Sequence, residues 1–247
     1  MKIFVINLER AAERRKTALQ RLHELGMDAE ILHAVDGASL ERNTLDPDAE
    51  PGLSDGEVGC YLSHVRAWQA IVDRRLDQAI VLEDDVVCDP AMIRIANEIV
   101  ALGLPLDAVR LSALQPIRGL TIAHLSGDHC LLLPNKNPSG AQGYMVTQQG
   151  AQHLLQKLPV PRLPIDDAFD AYWKHGLCIP IVSPCLVFED HNFPSSIVHR
   201  FGSDAPKSLG RHLARVAESK RRKLMVFLMA RRLHAKLAHA AREQARP

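Results

Sequence analysis

Ile3-Phe4-Val5-Ile6 opens the chain as a short, largely β-branched run, the pattern of a buried strand. From Ala11 to Leu25 the apolar positions fall at Ala18, Leu19, Leu22 and Leu25, a helical spacing that Gly26 closes. Residues 29–35 form a second strand-like run, ending at Asp36-Gly37. Strand, helix, strand is the unit of a parallel sheet. The polar stretch 38–54, with Pro47, Pro51 and Gly52, predicts a loop. Ser54 with Glu57 three residues on has the form of a capping box and predicts a helix to about Arg75. Residues 78–82 predict the next strand, and Pro90 to Leu102 a helix with proline in its first turn.

The second half is less regular. Leu106–Leu114, Leu120–Ser126, His129–Pro134 and Gly143–Thr147 predict four short strands. A helix follows from Gln148 to Leu158, another from Pro164 to about His175, and a last strand from Ile179 to Val187. The fold class is α/β, with a parallel sheet in the first half and mixed strands in the second.

Composition narrows the class. Of 247 residues, 47% are hydrophobic and 24% charged, which excludes disorder for most of the chain. No run approaches the ~18–20 apolar residues of a spanning helix, and the N-terminal apolar run is too short for a signal peptide. A cytoplasmic location is the expectation. Five cysteines without a Cys-x-x-Cys pair predict buried free thiols rather than disulfides or a zinc finger. The net charge of +1 hides an asymmetry: residues 207–247 carry 12 Lys/Arg and 2 Asp/Glu, leaving residues 1–206 acidic. An acidic body (1–206) and a basic helical tail (207–247) is the expected organisation.

Glu83-Asp84-Asp85 closes the strand of residues 78–82. Ligands of open α/β sheets bind beyond the carboxyl ends of strands. Three adjacent acids there repel one another, and a hard divalent cation sharing phosphate oxygens with a substrate would offset them. Alternation sends Glu83 and Asp85 to one side and Asp84 to the other. A solvated acidic turn is the plainer alternative. Asp166-Asp167 falls at a helix start, where one Asp serves as an N-cap and the other is available as a general base. Ser63 and His64 diverge by about 100° on a helix, which argues against a nucleophile–base pair and leaves His64 a structural role. Gly-x-Ser-x-Gly and phosphate-cradling glycine motifs are missing, against hydrolase and P-loop readings.

Taken together, Val5-Ile6-Asn7-Leu8-Glu9-Arg10 with Arg14, Ala34-Val35-Asp36-Gly37, residues 53–68, Val81-Leu82-Glu83-Asp84-Asp85, Gly143-Tyr144 and Pro164-Ile165-Asp166-Asp167 resemble glycosyltransferase family 25, the bacterial lipooligosaccharide and lipopolysaccharide sugar transferases. The resemblance implies a GT-A-like, Rossmann-type nucleotide-sugar-binding sheet, a UDP-sugar donor, Mn²⁺ or Mg²⁺, and a glycan or lipid-linked glycan acceptor. It implies Asp85 as metal ligand with Glu83, donor contacts at Asn7, Arg10, Asp36, Glu83 and Asp84, and a base at Asp167 or Asp166. Inverting transfer of galactose is the expected reaction. A catalytically silent sugar-nucleotide binder or membrane scaffold is the alternative, and a metal-dependent phosphoesterase a third.

The tail sequence Lys220-Arg221-Arg222-Lys223, Leu224 to Ala230, Arg231-Arg232 suits a basic amphipathic helix on an anionic inner-membrane surface. The alternative packs Leu224, Phe227 and Leu228 on the body. Nucleic acid is not an expected partner, since aromatics are only 4% and stacking residues are few near the tail.

Overall fold

The computed structural model describes residues 1–41, 43, 45–192 and 209–244. The expected boundary between residues 206 and 207 lies outside the described residues. Strand β1 (Lys2–Asn7) pairs in parallel with β2 (Ala29–His33), across helix α1 (Ala12–Glu24), and with β3 (Gln78–Glu83) on its other side. Phe4 and Val5 are fully buried, as a central parallel strand requires.

The connection between β2 and β3 is helix α2 (Asp55–Asp73). It begins at the expected capping box: Ser54 Oγ accepts from the Glu57 N–H, and Glu57 Oε2 accepts from the Ser54 N–H at 2.6 Å. The helix start is pressed against the end of β2, backbone on backbone. A Cβ on Gly37 would lie 1.7 Å from Asp55 O, and one on Gly59 2.7 Å from Val35 O. Ser63 fastens the same junction, accepting from the Val35 N–H at 2.8 Å and donating to Gly59 O at 2.6 Å. Its hydroxyl is structural.

Beyond β3 the chain makes β4 (Val86–Cys88), α3 (Met92–Ala101), β5 (Ala108–Arg110), β6 (Gly119–His124), β7 (Cys130–Pro134) and β8 (Gly143–Thr147). Helices α4 (Gln148–Lys157), α5 (Ile165–Asp170) and α6 (Tyr172–His175) follow, then β9 (Ile181–Ser183) and β10 (Val187–Glu189). The eight-stranded sheet runs β2-β1-β3-β8-β5-β9-β7-β6, and β10 pairs with β4 in a separate ribbon. The first three strands are parallel and β8 runs antiparallel between β3 and β5, so the parallel and mixed halves meet there. Reversal of β8 brings its N-terminal end, with the loop of residues 138–142, to the carboxyl end of β3.

Three predicted elements are shorter than expected. The strand of residues 106–114 is regular only in β5, because Ser112 Oγ accepts from the Gly143 N–H and replaces a ladder bond. The strand of residues 179–187 divides around Pro184, which has no N–H to donate; β9 stays in the main sheet and β10 leaves it. The helix of residues 164–175 divides at Ala171 into α5 and α6. All five cysteines are free, but only Cys88 is buried and the rest are half-buried.

Helix α7 (Leu209–Gln244) lies over β6, β7 and α6. It docks through Val226, Ala230 and Leu233, all buried, at spacings of four and three. Leu224, Phe227 and Leu228 are instead 58%, 49% and 49% exposed, so the packing face is not the one expected for a tail folded on the body. Among the described residues no helix is long and apolar enough to cross a membrane.

Candidate functional site

Glu83, Asp84 and Asp85 end β3 and turn the chain into β4. Two cavities meet there. The smaller, of ≈ 230 Å³, lies over the carboxyl ends of β1, β2 and β3 and is lined by Arg10, Arg14, Asp36 and all three acids. The larger, of ≈ 520 Å³, is lined by Glu83, Asp85, Glu57, the loop of Gly140–Gln142, Asp166, Asp167 and Glu189. Cys60, Glu83 and Asp85 face both and form the partition. Asp84 lines only the smaller, but residues 84 and 85 form a turn and all three acids reach that cavity, so the expected alternation to opposite sides does not hold.

Arg14, in the first turn of α1, offsets this charge. Its Nη2 lies 2.5 Å from Asp84 Oδ1 and 2.5 Å from Asp85 Oδ2. Asn7 sits beneath, almost wholly buried, donating from Nδ2 to Asp84 Oδ2 at 2.6 Å and to Ala11 O at 3.1 Å. It orients Asp84 rather than lining a cavity. Arg10 pairs with Asp36, and the Asp36 carboxylate also accepts from the Ala38 N–H at 3.1 Å.

The Asp85 carboxyl is pushed up to about 7, first by burial and then by Glu83, against the pull of Arg14. Burial likewise raises Asp84, again opposed by Arg14. Asp85 Oδ1 is buried and has no hydrogen-bond partner. An orphaned, desolvated carboxylate oxygen between two other acids is a donor set that suits a hard divalent cation. The residues fit such an ion, which Asp85 and Glu83 would hold.

Across the larger cavity, α5 presents its acids. Asp166 Oδ2 accepts from the Gly140 N–H at 3.4 Å, whereas the Asp167 side chain is exposed into the cavity. Burial raises the Asp167 carboxyl, and Asp166, Asp170 and Glu57 add to the shift. The platform beneath is cross-linked by buried contacts. Buried Arg110 pairs with buried Asp170 and donates to Gly140 O, joining β5, α5 and the loop before β8. Tyr144 and Phe169 meet edge-to-face at 4.9 Å, and Trp68 stacks on Phe169 at 6.0 Å.

The structure thus brings Arg10, Asp36, Glu83, Asp84 and Asp85 around one cavity, and Glu83, Asp85, Asp166 and Asp167 around the other. Sequence reading missed Arg14 as the counter-charge, Glu57 and Glu189 as cavity walls, and the meeting of Cys60 and His64 with Glu83. For Arg14 a signal was present, since it follows Arg10 by four residues at the start of the predicted helix. His191 is exposed; its neighbour Asp190 is buried and pairs with Arg21 at 2.5 Å.

Residues 1–115 match the family model of glycosyltransferase family 25 (LPS biosynthesis protein). Procollagen galactosyltransferase 2 of Homo sapiens is 29% identical over 198 residues, covering 70% of this chain and 30% of the relative. The probable inactive glycosyltransferase 25 family member 3 of Bos taurus is 33% identical over 186 residues, covering 67% and 30%. The chain spans about a third of the length of these curated relatives. Among solved structures, a glycosyltransferase involved in glycosylation of the major capsid of PBCV-1 is similar with TM-score 0.41 and 9% identity, over 73% of this chain and 80% of that one. A Drosophila galactosyltransferase in complex with manganese, UDP-Gal and xylobiose gives TM-score 0.39 and 11% identity, over 86% and 78%. The sheet is parallel in its first half and mixed in its second.

Proposed function

Since the chain belongs to glycosyltransferase family 25, we propose that it is an inverting, divalent-cation-dependent glycosyltransferase that moves a hexose, galactose first, from a UDP-sugar to a glycan hydroxyl. The carrying observation is the partition: Glu83 and Asp85 face a cavity walled by Arg10 and Asp36 and another walled by Asp166 and Asp167. The smaller cavity takes the nucleotide, with Arg10 and Arg14 beside its phosphates. The larger takes the sugar and the acceptor.

Asp85 and Glu83 would hold Mn²⁺ or Mg²⁺. When bound, such an ion supplies positive charge against the departing diphosphate. Asp167 removes the proton of the acceptor hydroxyl as its oxygen bonds to the anomeric carbon and the bond to UDP breaks, inverting that carbon. Asp167 is favoured over Asp166 because Asp166 already accepts a backbone hydrogen bond. Positioned base catalysis contributes roughly 10²–10⁴-fold, and the surrounding carboxylates favour an oxocarbenium-like transition state.

A screen of UDP-galactose, UDP-glucose and UDP-N-acetylhexosamines with the full chain, with and without Mn²⁺, tests this. Mn²⁺-dependent release of UDP from UDP-galactose, abolished in Asp85→Ala, is the expected result. Binding of UDP-sugars without turnover on any donor or acceptor would instead favour the silent reading, which the occupation of Asp84 and Asp85 by Arg14 supports.

The acceptor we propose is lipid-linked, with the protein peripheral on the cytoplasmic face of an anionic membrane. Support comes from α7. Leu224, Phe227 and Leu228 form an exposed stripe beside Arg221 and Arg231 on a helix whose opposite face is already spent on the body. Each basic residue near such a surface contributes about 1 kcal/mol.

A further inference from the structure

Cys60 and His64 lie one helical turn apart on α2, on the face turned to the end of β3. Cys60 Sγ is 3.9 Å from Glu83 Oε1, and His64 Nε2 is 3.5 Å from the same oxygen. Among the described residues, this is a group whose three candidate ligand atoms all lie within 4.8 Å of one another. Neither Asp84 nor Asp85 belongs to it.

The histidine supplies an independent sign. It is fully buried, yet its Nε2 makes no hydrogen bond. Its other nitrogen, Nδ1, is 3.0 Å from the Tyr144 hydroxyl, which also accepts from Trp68 Nε1 at 2.8 Å. A phenol oxygen has two lone pairs. In the tautomer that carries its proton on Nδ1, Nε2 presents a bare lone pair toward Cys60 and Glu83. A ring whose far nitrogen is anchored in this manner is the arrangement that metal-ligating histidines use.

The ligand types decide the ion. Thiolate and imidazole select zinc-class cations over Mg²⁺ and Mn²⁺. One Cys, one His and one Glu make three protein ligands, and Cys60 and Glu83 open to both cavities, so a fourth position is accessible to solvent. We propose that Cys60, His64 and Glu83 form a binding site for a zinc-class divalent cation with an open position facing the cleft. As the sulfur–metal bond forms, the thiol proton passes to water; no electron is transferred. The site is separate from the hard-cation ligand Asp85 but shares Glu83 with it. Zinc and manganese therefore contend for one carboxylate.

Titration of the full-length, metal-stripped protein with Co²⁺, followed by Zn²⁺, tests the site without recourse to activity. One equivalent of Co²⁺ is expected to give a thiolate-to-cobalt charge-transfer band that Zn²⁺ abolishes. The band disappears in Cys60→Ser and persists in Asp85→Asn, which separates this site from the proposed transfer chemistry. Zinc affinity is expected to fall at least tenfold in Cys60→Ser and in His64→Gln. The serine variant alone is decisive where the buried His64→Gln chain does not fold. Lack of the band in the wild type, its survival in Cys60→Ser, or equal zinc affinity in wild type and Cys60→Ser would overturn the proposal.

Discussion

Arg14 Nη2 lies 2.5 Å from Asp85 Oδ2, and the same nitrogen serves Asp84 at the same distance. A cationic side chain is thus built into the acidic turn before any ion arrives. It opposes the burial that raises both carboxyls.

Arg14→Met should therefore leave an under-compensated acidic turn. Loss of one partner of a mostly buried pair costs roughly 3 kcal/mol. Mn²⁺ offsets the same charge, so the cation-induced rise in melting temperature should be larger in Arg14→Met than in the wild type. Calorimetry with and without Mn²⁺ reads both; equal rises would detach Arg14 from the ion site.

For Asp167 the pH profile carries the test. A base works ionised, and its carboxyl is raised by burial and by Asp166, Asp170 and Glu57. The rate should fall as pH drops through this raised value, placing the acid limb above the ordinary carboxylate range. Asp166→Asn removes one raising charge and should shift the limb to lower pH. Asp167→Asn should lower kcat by roughly 10²–10⁴ and leave KM for the donor nearly unchanged. Near-normal turnover in Asp167→Asn would exclude it as the base.

Gly59 sets how closely α2 approaches the end of β2. In Gly59→Ala the new methyl would meet Val35 O and Gly37 N at 2.7 Å, neither of which can yield without moving the loop. Overpacking of this kind costs about 1–3 kcal/mol. The expected outcome in urea denaturation is a lower midpoint with an unchanged slope.

The two faces of α7 should separate on substitution. Val226→Asp puts a charge among buried residues and should lower thermal stability. The triple change Leu224→Ser, Phe227→Ser, Leu228→Ser alters exposed positions, where stability effects are usually within about 0.5 kcal/mol each. Flotation with phosphatidylserine vesicles should lose the triple variant and retain the wild type. Equal flotation of both would remove the membrane reading.

Local pattern carried the first half of the fold. The β1-α1-β2 unit, the Ser54–Glu57 capping box and the acidic end of β3 depend on residues a few positions apart, where spacing is informative. The site depends on separations that spacing does not encode. Asp84 meets Arg14 across 70 positions, His64 meets Tyr144 across 80, and Arg110 meets Asp170 across 60. The division of residues 179–187 had a local cause in Pro184, but the departure of β10 to pair with β4 had none. In α7 the basic, apolar composition was legible; which stripe faces the body was set by the shape of β6 and β7, which no helical periodicity discloses.

Because Cys60, Glu83 and Asp85 are walls of two hollows at once, the hollows are not independent compartments. An occupant that draws Glu83 toward itself reshapes the neighbouring chamber, so filling one side alters the welcome offered by the other.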